Sequence, residues 1–139
     1  MRVRIYFMKR LCLAAAIIIL GISALHAAGA GPRINAIGKE WDLGNVPMGG
    51  KAEKVFEISN GGSSDLVIEN VKSCCGYSVT DISSWKIKPG KRSKFRVSVD
   101  ASRKGLGTDR KEIMIRSNDK ESPLLRVPVR SEIVKKRSS

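Results

Sequence analysis

The chain predicts an all-β fold: an immunoglobulin-like antiparallel β-sandwich of about seven strands, preceded by an N-terminal signal or anchor helix. Three observations carry this. From Ile34 onward the apolar residues follow no sustained helical period; short alternating or β-branched runs recur instead; and clusters of Gly, Pro, Asn, Asp and Ser interrupt them about every ten residues. Seven or so runs within about 100 residues, with no helix to cross over between them, imply antiparallel neighbours and two sheets packed face to face. A small closed barrel is the other architecture that this pattern allows.

The elements follow in order. Trp41-Asp42-Leu43-Gly44-Asn45-Val46 reads as the first strand, stopped by Pro47 and Gly49-Gly50. Ala52 to Ser59 is the second, with Val55, Phe56 and Ile58, closed by Asn60-Gly61-Gly62. Asp65 to Val71 is the third, and Tyr77 to Ile82 the fourth. Lys88-Pro89-Gly90 makes a tight turn, because proline presets φ and glycine accepts a positive one. After it Phe95, Val97 and Val99 alternate with Lys94, Arg96 and Ser98, the pattern of a strand with one face buried. Glu112 to Arg116 and Leu124 to Val134 complete the set, separated by Ser117-Asn118-Asp119 and Ser122-Pro123.

The start of the chain has a different character. Arg2, Arg4, Lys9 and Arg10 precede the uncharged, Leu/Ile/Ala-rich stretch from Leu11 to Leu25, the order of a signal peptide's n-region and h-region. Ala28-Gly29-Ala30 supplies the small-x-small spacing of a cleavage site, with Ala27 as a second edge, so the mature chain is expected to begin near Gly31. The rival is an uncleaved inner-membrane anchor, which reaches the necessary length of about 20 residues only by including His26 and the Gly/Ala-rich end. Cys12 lacks the small residues that precede a lipoprotein cysteine. The organisation expected is therefore a signal or anchor over 1–30, one domain over 31–134 and a basic tail over 135–139. An exported location follows, in the periplasm or cell envelope, with or without a membrane tether.

Charge and residue inventory narrow the function. The chain has 26 basic and 13 acidic side chains, a net charge of +13. Such a surface either contacts anions or is simply solvated. The tightest group is Lys86, Lys88, Lys91, Arg92, Lys94 and Arg96, a candidate contact for anionic lipid or envelope polymer. No aromatic series accompanies it, which argues against nucleic acid. The one histidine, His26, lies in the N-terminal segment, so the domain has no imidazole for a catalytic triad, a general base or a zinc site. Asp100, Asp109 and Asp119 stand near turns, separated by basic residues, and form no calcium loop; Asp119 suits the backbone donors of its own turn. Trp41 and Trp85 read as core or rim packing.

Several of these motifs together resemble one family. Trp41 to Val46, Phe56-Glu57-Ile58-Ser59-Asn60-Gly61-Gly62, Leu66-Val67-Ile68 before a cysteine pair, Ile87-Lys88-Pro89-Gly90, Gly105 to Thr108 and Ser117-Asn118-Asp119 are similar to the bacterial domain of unknown function 1573, from about Ile37 to Val134. The resemblance implies a Hydin-like and pilus-chaperone-like immunoglobulin fold that follows an export signal, and no settled biochemical activity. It also implies a Cys-Gly-Cys after the third strand, whereas this chain has Cys74-Cys75-Gly76.

That departure has a physical consequence. Residues two apart in extended chain project from the same face, and neighbours from opposite faces, so Cys74 and Cys75 converge only if the backbone turns sharply, as Gly76 permits. Three readings stay open: packing without special chemistry, chelation of a soft cation such as Cu(I) or of a zinc ion completed by a second chain, and disulfide exchange. A vicinal disulfide would be strained, since adjacent Cα atoms lie about 3.8 Å apart and ordinary disulfides span about 4.4–6.8 Å. Lys72 is the nearest base in sequence able to lower a thiol pKa. The functional expectation is a non-enzymatic, exported module that binds another envelope component through a sheet edge or the basic face, its rival a metal-handling or redox module acting through the cysteine pair, without a cofactor unless Cu(I) binds there.

Overall fold

The computed structural model describes residues 31–138, and the segment expected to be a signal or anchor lies outside them. Nine strands form, the longer ones on alternating apolar and polar side chains: β1 (Ile34–Ala36), β2 (Trp41–Pro47), β3 (Lys51–Asn60), β4 (Leu66–Lys72), β5 (Tyr77–Ile82), β6 (Lys86–Ile87), β7 (Arg92–Asp100), β8 (Gly107–Ser117) and β9 (Leu124–Val134). They form two sheets in the orders β1-β3-β7-β5 and β2-β9-β8-β4-β6, a β-sandwich. The two strands beyond the expected seven, β1 and β6, are three and two residues long, too short to show a period.

One expectation is corrected. Pairing is not antiparallel throughout: β2 runs parallel to β9, with Trp41 opposite Val129 and Val46 opposite Ile133. Parallel neighbours need a long connection, and here it is the whole domain between them. The strands either side of the Pro47–Gly50 turn lie in different sheets, so β2 has no partner close in sequence and takes the last strand instead.

The inward faces meet in one core. Phe95, Val97 and Val99 of β7 are buried, as are Ile58, Ile113, Ile115, Val127 and Val129. Trp41, at the start of the edge strand β2, is fully buried in it, stacked on Phe56 of the opposite sheet at 4.9 Å and tilted against Phe95 at 6.1 Å. Its indole N–H donates to the Ile37 carbonyl at 3.2 Å, which satisfies the polar atom of a buried tryptophan. Trp85 stays half exposed.

Two buried polar residues fasten the ends of strands. Asn60 accepts from the amides of Arg33 and Gly62 and donates to the carbonyls of Ser64 and Ile87, so all its amide atoms are paired. Asp119, 3% exposed, accepts from Glu121 and Ser122 in its own turn, as its sequence suggests, and also from Ile34 N–H at 3.0 Å. That last bond pins the first strand across the sandwich.

Candidate functional site

The segment between β4 and β5 carries the chain from one sheet to the other, and both cysteines lie on it. Tyr77 N–H donates to the Cys74 carbonyl at 3.0 Å. The two residues between, Cys75 and Gly76, have φ of +61° and +88°. A positive φ at both central positions is the requirement of a type I′ turn. Gly76 is fitted to it twice over: a Cβ there would lie 2.8 Å from the Asp100 carbonyl oxygen and 3.1 Å from Lys104 Cε. Cys75 is the one non-glycine residue with positive φ among the described residues, a conformation that costs about 1–2 kcal/mol.

This turn supplies the convergence that an extended chain forbids. The Cys74 and Cys75 sulfurs lie 2.6 Å apart, and both residues are exposed. The contact with Cys75, reinforced by partial desolvation, holds the Cys74 thiol above its ordinary pKa, while the charges of Lys111 and Lys104 pull it down. The lysines acting on Cys74 thus come from β8 and the loop before it.

Lys104 holds the turn in place. Its ammonium donates to the Cys75 carbonyl at 2.6 Å and to the Asp109 carboxylate at 2.5 Å, and it lies 4.8 Å above the Tyr77 ring. Its side chain is only 11% exposed. Burial pushes the Asp109 carboxyl up, but Lys104, the Tyr77 hydroxyl and the charge of Lys111 outweigh it and hold the group below the usual range. Burial also pushes the Tyr77 hydroxyl up to about 12, so it stays protonated and bonds Ser131 Oγ at 2.6 Å. The turn therefore stands on a charged, satisfied foundation, at one wall of an open depression of about 890 Å³ lined also by Asp100, Arg103, Leu106 and Lys111. Sequence reasoning missed Lys104 and Asp109 in this role. Their five-residue spacing was visible, but the loop that folds Lys104 back under Cys75 was not.

The basic residues are brought together only in part. Arg92, Lys94 and Arg96 share the exposed face of β7, as the alternation predicts. Lys86 belongs to β6 in the other sheet, and Lys88 and Lys91 flank the turn between. Carboxylates interleave with them: Lys86 pairs with Asp65 at 3.2 Å, Arg92 with Glu57 at 3.0 Å and Arg96 with Glu53 at 3.9 Å, while Lys94 stands opposite Glu57 in register. Asp100 and Asp109 are likewise engaged, by Ser102 N–H and Lys104 respectively. Among the described residues no three His, Cys, Asp or Glu side chains converge on a point that could hold a metal.

Residues 34–130 match a family model described as "Protein of unknown function (DUF1573)". No curated protein matches the chain. Among solved structures, a protein of unknown function from Porphyromonas gingivalis W83 is similar at a TM-score of 0.65 and 24% identity, over 77% of this chain and 49% of that one. The chain thus spans about half of that relative. The PapD-like domain 7 of human CEP192 is similar at 0.54 and 13% identity, over 75% of this chain and 87% of that one. The Vibrio cholerae VesB protease matches at 0.54 and 16%, over 73% of this chain and 31% of that one. At these identities the likeness is one of fold.

Proposed function

From the fact that this chain belongs to the DUF1573 family, we propose that it is an exported, non-enzymatic module that binds an extended segment of another envelope protein along the free edge of β5. The family description and the PapD-like sandwich fit a binding or structural role. The observation that carries the reading is the unequal protection of the four sheet edges. β1 and β6 are very short, and β2 ends at Pro47, whose missing N–H breaks the ladder, devices that discourage strand addition. β5 has six residues and flanks an open groove in which Val71, Val79, Ile82 and the half-exposed Trp85 share the lining with polar side chains, Asp81 among them. An added strand would gain main-chain hydrogen bonds from the edge and place alternate apolar side chains in the groove. The bulge between Val79 and Asp81 limits that pairing to a short stretch, which suits a reversible contact.

A photo-crosslinking residue at Thr80, in the full chain within its native envelope, is expected to capture one protein at alternate positions of a single extended segment. Crosslinks from Lys94 alone would sink the reading. The triple substitution Lys91→Glu, Lys94→Glu and Arg96→Glu is expected to leave fold and crosslink intact, because exposed charges contribute little to stability. If the crosslink disappears in a folded triple variant at about 0.05 M salt, where screening is weak, the contact belongs to the basic face and an anionic polymer or lipid.

Export rests on the order of charged, apolar and small residues from Arg2 to Ala30. The intact mass of the native protein is expected to correspond to a chain beginning near Gly31. A mass that includes Met1 to Ala30 would replace cleavage with a retained membrane tether.

A further inference from the structure

We propose that Cys74 and Cys75 form a dithiol–disulfide exchange site whose co-reactant is an accessible organic disulfide. The geometry separates the three uses that two neighbouring thiols permit. The turn brings the two sulfurs into contact, the arrangement that closure within the pair needs, and among the described residues no third His, Cys, Asp or Glu side chain converges on them to complete a tetrahedral cation site. Passive packing does not fit either: both residues are exposed, and Cys75 holds a backbone conformation unfavourable to any side chain. Such strain persists only where the surroundings impose it. They do so here, through the Lys104 ammonium on the Cys75 carbonyl and the absence of a side chain at Gly76 beneath Asp100.

The exchange balances as follows. A thiolate of the pair attacks one sulfur of the co-reactant disulfide, forming a mixed disulfide and expelling the first thiolate. The neighbouring thiol loses its proton to solvent and attacks the sulfur of its own chain, expelling the second. Two electrons pass from the pair to the co-reactant, whose two thiolates take up the two protons. The attacking species is the thiolate fraction of the pair; Lys104 and Lys111 favour it at Cys74, against the contact with Cys75 and desolvation that oppose it. The closed pair is readily reduced, because adjacent Cα atoms about 3.8 Å apart lie below the ordinary disulfide span. The site therefore cycles and does not lock. It is independent of the β5 edge: loss of both thiols is expected to leave the Thr80 crosslink unchanged.

The test uses the full chain carrying Cys12→Ser, so that Cys74 and Cys75 are its only thiols. It is equilibrated with glutathione and glutathione disulfide over a range of ratios, acid-quenched and weighed by intact-mass spectrometry. The expected product is a chain lighter by two hydrogens with no adduct, reversed as the buffer is made reducing. Adding Cys74→Ser or Cys75→Ser to this chain should halt it at a single glutathione adduct. Persistent adducts on the two-thiol chain, or a free dithiol at the most oxidising ratio, would overturn the proposal. So would a one-to-one Cu(I) complex in a chain that never closes.

Discussion

Val97→Asp is expected to abolish folding. Val97 is fully buried on β7, an interior strand of its sheet, between Lys54 of β3 and Val79 of β5. A carboxylate there would be desolvated without a partner, at a cost of several kcal/mol, against a total stability of about 5–15 kcal/mol for a domain of this kind. Lys54 offers no escape, because its ammonium is engaged on the Asp42 carbonyl at 2.9 Å, out at the exposed margin. Protonating the new group to avoid the charge still leaves a polar group buried. Far-ultraviolet circular dichroism and urea titration check this: no cooperative transition is expected, whereas Lys94→Ser on the opposite face should leave the midpoint nearly unchanged. A near-native midpoint for Val97→Asp would mean that the strand faces the other way.

The second large effect belongs to Asp119. Asp119→Ala removes the acceptor of three backbone amides, those of Ile34, Glu121 and Ser122, in a buried setting. The expected cost is about 3 kcal/mol, read from the urea midpoint at neutral pH. The wild-type carboxyl also ties stability to pH. Burial raises its pKa, but the three amides and Arg33 outweigh burial and hold it below the ordinary value. A folded-state pKa below the unfolded one gives stabilisation that is complete above the unfolded value, about 4, and is lost as pH falls through the folded one. Acidification below about pH 4 should therefore cost the wild type more than it costs Asp119→Ala. Equal losses in both would show that Asp119 is not a source of the acid sensitivity. Asp100 and Asp109, also held low, keep part of that sensitivity in the variant.

What was legible in the sequence is what depends on local alternation. The span of β5 and that of β9 agree residue for residue with their apolar patterns, and the inward set Phe95, Val97 and Val99 is buried as expected. Pairing was less legible, because alternation tells which face a residue takes and not which strand lies beside it. The parallel partnership of β2 and β9 depends on where the Pro47–Gly50 turn sends the chain, and nothing within β2 records it. The same holds at the site. Adjacent cysteines followed by glycine marked a place where the backbone is free to turn, and the structure puts left-handed residues at Cys75 and Gly76. The ammonium beneath them comes from a loop 29 residues further on, beyond the reach of any pattern around the cysteines. The basic cluster shows the converse: closeness in sequence did not put Lys86 on the same sheet as Arg92, Lys94 and Arg96.

The parallel pair also sets an order of events. β9 follows the other eight described strands in chain order, yet it is an interior strand, with β2 on one side and β8 on the other. The Asp42–Arg130 ion pair that spans the β2–β9 seam, at 3.0 Å, joins residues 88 positions apart. Until Leu124–Val134 has emerged, β2 has no neighbour in its sheet, and closing so long a loop must precede the contacts that reward it. The five-stranded sheet is therefore consolidated only when Leu124–Val134 slots between β2 and β8, while the β1-β3-β7-β5 sheet needs nothing from that strand.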